Sequence, residues 1–70
     1  MIDIGQRVSV VTAEDSEVSR IHQGVCDAVS DIGIRVKVEA IWVNGSEMTP
    51  SPGTTYVFPW SAVLLIRLGD

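Results

Sequence analysis

Few side chains in this chain can do chemistry: it holds one His and one Cys. His22 is the only side chain whose ordinary pKa lies near neutrality, and acid–base catalysis would need a carboxylate or nucleophile beside its ring. Asp27 and Asp31 are close in sequence, but that spacing does not bring them to it, so His22 reads as a strand-surface histidine. Cys26 sits next to Asp27, whose charge raises a thiol pKa and disfavours the reactive thiolate. Ser61 follows Trp60 in a tight turn without the Gly-x-Ser-x-Gly frame of a nucleophile elbow. Asp3, Glu14, Asp15, Glu17 and Asp27 offer oxygens to a hard cation, but they lack the alternating ligands and sixth-position Gly of a calcium loop. One His and one Cys are too few for structural zinc. The expectation is a chain that is not an enzyme, with no catalytic residue, no metal and no cofactor.

The residues better suited to recognition are apolar. Trp42, Tyr56, Phe58 and Trp60 are all the aromatic residues, and they flank one long irregular stretch in the second half. Rings of this kind stack bases, grip proline-rich peptides or plug the ends of a small fold. Trp60, beside Pro59, is expected to be partly exposed. The longest apolar run, Tyr56–Leu68, carries only one charge, Arg67. In it Leu64, Ile66 and Leu68 are assigned to the core face, and Val63 and Leu65 to the opposite, contact face. The partner-binding candidates are therefore Trp60, Tyr56, Val63, Leu65 and Trp42.

The elements that must position these residues read as strands. Ile4 to Thr12 alternates, with Val8 and Val10 on one face. Ala13–Ser19 carries three acids and reads as a solvated loop, with one helical turn as the alternative. Arg20 to Val29 is the second strand, and Gly24 inside it marks a bend or bulge. Ser30-Asp-Ile-Gly33 is a turn in which Gly33 can supply a positive φ. Ile34 to Val43 follows, with Ile34, Val36, Val38 and Ala40 on one face; its alternation breaks at Ile41-Trp42-Val43, which suggests a covered strand end or a bulge. Asn44 to Thr54 is irregular because Pro50, Pro52 and Gly53 interrupt it. Thr55 to Phe58 is a short fourth strand, Pro59-Trp60-Ser61 a turn, and Ala62 to Leu68 the fifth strand.

Seventy residues form one domain, 1–70, with the irregular loop at 44–54. So short a chain has a marginal core and gains from oligomerisation, since a lone Cys allows no internal disulfide. The net charge of −4 disfavours phosphate-neutralising nucleic-acid binding and attraction to anionic membrane. No eighteen-residue apolar run and no signal-peptide pattern occur, and a single free Cys fits a reducing compartment, so the expected location is cytoplasmic.

The order of these pieces resembles the small β-barrels of the SH3-like and Sm-like superfamily. The resemblance rests on Val8-Ser-Val-Val11, on Gly24-Val25 after an acidic loop, on the hairpin Ser30–Ile34 leading into Val36-Lys-Val38, and on the closing Phe58–Ile66. It implies an all-β, five-stranded SH3-like barrel that forms rings or dimers through its fourth and fifth strands. The motifs of Sm-like RNA binders do not carry over. Ser30-Asp31-Ile32-Gly33 lacks their Asn, and Pro59-Trp60-Ser61 stands where they hold a basic pair. The function expected is a non-enzymatic protein–protein interaction module that self-associates through its C-terminal strands, or an accessory protein of a phage or mobile element acting on a host protein. The alternative is Sm-like RNA binding, for which Arg7, Arg20, Arg35, Lys37 and Arg67 would have to gather on one surface.

Overall fold

A computed structural model of the chain describes residues 2–13 and 19–69. The described residues form one antiparallel sheet of six strands and a single turn of 3-10 helix. The strands are β1 (Arg7–Ala13), β2 (Ser19–Val29), β3 (Gly33–Val43), β4 (Ser46–Met48), β5 (Thr55–Pro59) and β6 (Val63–Leu68), with the 3-10 turn at Trp60–Ala62. The all-β class agrees with the strand patterns. The acidic stretch, with its alternative of a helical turn, lies largely outside the described residues.

The ladders run β4-β3-β2-β1-β6, and β5 joins the outer edge of β3 beside β4. Two strands share that edge because β3 is long. Gly33–Lys37 pairs with β5, and Ile41–Val43 pairs with β4. The expected closed ladder is not made among the described residues: β5 and β6 do not pair, and the sheet stays open. The sixth strand, β4, lies inside the stretch expected to be irregular. Asn44 and Gly45 both adopt positive φ, 49° and 87°, the conformation of a two-residue hairpin turn, and so return the chain directly against β3.

The core consists of Val8 and Val10 from β1, Cys26 from β2, Ile34, Val36 and Val38 from β3, and Phe58 from β5. The sheet curls around them, which brings the His22 ring on β2 to 4.7 Å from the Phe58 ring, although β2 and β5 share no ladder.

Three register slips set which side chains face in. At Gln23/Gly24 the β2–β3 ladder leaves Glu39 without a partner, so the inward phase passes from Val38 to Ile41. Ala40, expected inside, is only half-buried, while Ile41 packs on the core. At Cys26/Ala28 the extra residue is Asp27. In the β1–β6 ladder Val11 faces Leu65 and Thr12 faces Val63, so Leu64 bulges out.

Two glycines are fixed by close approach. A Cβ on Gly24 would collide with the Lys37 carbonyl, and one on Gly33 with the Phe58 carbonyl. Gly33 is not among the positive-φ residues, so its role is backbone proximity and not the turn conformation expected of it.

Candidate functional site

Among the described residues no constellation for catalysis comes together. His22 is 4% exposed, not on the surface as expected. Its Nδ1 lies 3.4 Å from the Val10 carbonyl, and its ring packs against Tyr56 and Phe58. Desolvation by burial, with a smaller push from the Arg20 charge, lowers its pKa, while the Val10 carbonyl raises it. Cys26 is buried, and burial, with added charge from Asp27 and Asp3, pushes its thiol pKa up. Such a thiol is unreactive. Among the described residues no three metal-ligating side chains cluster.

The five partner-binding candidates do not form one site. Tyr56 and Trp60 are half-buried and pack against the core. The Trp60 indole N–H donates to the Ser30 carbonyl at 2.9 Å, and its backbone N–H donates to Ile32. The ring therefore pins the 3-10 turn to the β2–β3 hairpin. Trp42 lies on β3 opposite Ile21, and its indole donates to Gln23 Oε1 at 3.2 Å. Val63, assigned to the contact face, instead packs against the core. Leu65 is 50% exposed.

The face assignment along β6 changes because of the bulge. Leu64, expected inside, is 65% exposed, and Leu68 is 50% exposed although it lies opposite the buried Val8. Ile66, opposite Val10, packs on the core. Alternation read straight from Leu68 back to Val63 misses the skipped residue. The outcome is a terminal strand with Leu64, Leu65 and Leu68 in solvent and, among the described residues, no ladder on its outer edge.

A second apolar surface was not legible in the sequence. Ile32 (81% exposed) and Val57 (70%) border a groove of about 270 Å³ between the β2–β3 turn and β5, with Val29 and Pro59 also lining it. Its only charged lining residue, Arg35, is paired to Asp27 at 2.8 Å.

Arg7 pairs with Glu39 and Arg35 with Asp27, while Arg67 lies on β6, separated from β3 by β2 and β1. No helix of the described residues is long and apolar enough to cross a membrane. The chain matches no known protein family, no curated protein and no solved structure with which it was compared.

Proposed function

We propose that the chain is a small non-enzymatic protein-binding module that associates with its own kind along β6. The observation that carries this reading is the terminal strand itself. A strand with a bare edge offers unpaired N–H and C=O groups to another strand, and edges that must stay monomeric are protected by Lys, Pro or inward-pointing charge. Val63–Leu68 contains neither Lys nor Pro, and its one charge, Arg67, is exposed. Three exposed leucines lie along it.

We also read the sheet as a variant of the SH3-like barrel. The supporting features are the order β3-β2-β1-β6 and the one-turn 3-10 link before the last strand.

The test is the native mass by light scattering over a concentration series, with Leu65→Lys as the disrupting variant. A mass above one chain that falls to one chain in the variant is expected. A strict monomer at the highest soluble concentration overturns the reading.

A further inference from the structure

We infer that the partner of β6 is a second copy of β6, antiparallel about a two-fold axis at Ile66; this deepens the self-association reading and rests on it. The direction of the backbone groups sets the geometry. In an antiparallel ladder successive residues turn their N–H and C=O alternately toward and away from the neighbouring strand. The Gly69 N–H donates to the Arg7 carbonyl of β1 at 3.0 Å. Counting back by twos, Arg67 and Leu65 also turn toward β1, and the register is regular over this span, from Val8↔Leu68 to Val11↔Leu65. Ile66 and Leu68 therefore turn their backbone groups to the open edge.

Only pairings that set edge-facing residues against edge-facing residues form hydrogen bonds. For two antiparallel copies this leaves three central registers. One places Arg67 opposite Arg67 of the other copy, and like charges directly across a ladder repel. One sets Leu65 against itself and extends the pairing of Leu68 to Ala62, which lies in the 3-10 turn and not in a strand. The third sets Ile66 against Ile66, Leu64 against Leu68 and Leu65 against Arg67. It pairs the edge-facing Ile66 with its own copy and keeps the cations apart.

Charge also favours this strand as the meeting place. The chain carries −4, and two copies repel wherever acids face acids. Between Glu47 and Asp70 the sequence has no acid at all. Of the other bare edges, β4 is only three residues long and β5 is a poorer template. Val38 N–H donates to the Thr54 carbonyl, so Thr55, Val57 and Pro59 are the residues turned outward, and Pro59 has no N–H to give.

Disulfide trapping reads the register. Leu65 and Arg67 of the two copies would form a non-hydrogen-bonded pair, with Cα atoms about 4.5 Å apart, within disulfide reach. The chains Leu65→Cys and Arg67→Cys are mixed, oxidised with glutathione disulfide and mapped by peptide mass. Both positions are exposed, and Cys26 is buried. The expected product is the mixed 65–67 disulfide, in at least several-fold excess over 65–65 and 67–67, with a native mass of twice 7.6 kDa for the unmodified chain. A dominant 65–65 bond, or a native mass above two chains, overturns the two-fold at Ile66 while leaving self-association standing. A self-associating chain that yields no cross-link among these positions overturns β6 pairing itself. A monomeric unmodified chain overturns the parent reading.

Discussion

The indole N–H of Trp60 donates to the main-chain carbonyl of Ser30 at 2.9 Å, tying the 3-10 turn to a hairpin thirty residues earlier. This bond fixes where β6 begins, because Val63 follows Trp60 after one turn and its N–H caps the Trp60 carbonyl. Trp60→Phe keeps most of the packing and removes the donor. The expected loss is about 1 kcal/mol, the usual net worth of one hydrogen bond, measured by urea unfolding. Trp60→Ala also loses the ring contact with the core and is expected to cost more, about 2–3 kcal/mol for a half-buried ring.

Gly24 and Gly45 separate two reasons for a glycine. At Gly24 a methyl group meets the Lys37 carbonyl and the Val38 Cα, both backbone atoms of the paired strand. Gly24→Ala is expected to cost at least about 3 kcal/mol or to abolish folding, because the strand pair must separate. Gly45 has open space around it but a φ of 87°. Gly45→Ala is expected to cost about 1–2 kcal/mol, from conformation alone. Equal losses at the two positions in thermal or urea unfolding would contradict the packing at Gly24.

Ile34 and Ile32 are two residues apart and differ in burial, 1% against 81%. Ile34→Ala is expected to cost about 2–5 kcal/mol and Ile32→Ala less than about 0.5 kcal/mol. If Ile32 contributes to binding through the groove, its substitution will show in partner affinity and not in the unfolding curve.

Burial of His22 makes stability depend on pH. Its folded-state pKa lies below the ordinary value of 6.5, because desolvation penalises the charged ring. The unfolded chain thus binds a proton more readily than the folded one. Stability is fully present above pH 6.5 and falls as pH drops below it, by at most about 1.4 kcal/mol per pH unit, until the folded-state pKa is passed. Comparing urea midpoints at pH 8 and pH 5 checks the sign. His22→Phe is expected to flatten this part of the curve, and an unchanged slope would assign the pH dependence to other groups.

Five of the six strands were legible from period-2 alternation and turn residues, which put Val8 and Val10 on one face of β1 and Ile34, Val36, Val38 and Ala40 on one face of β3; all of these but Ala40 are buried, and β4 was not legible. Gly24 was legible as a bend because a glycine inside a β-branched run has no other local purpose. The turn Pro59-Trp60-Ser61 was legible from proline chemistry. His22 was not: a single imidazole between Ile21 and Gln23 has no local feature that marks it as buried, and only the curl of the sheet brings Tyr56 and Phe58 over it.

Sequence alone thus determined the class of the fold, the positions of every strand but β4 and the apolar character of Tyr56–Leu68. Tertiary structure decided which of those apolar residues reach solvent. Local alternation assumes one residue per step, while a bulge is a property of two strands in register. The extra residue at Leu64 exists only relative to Val11 and Thr12, and it turns Val63 inward and leaves Leu64 outside. Whether the sheet closes is also decided between distant strands, and here β5 and β6 leave the edge open on which the proposed pairing depends.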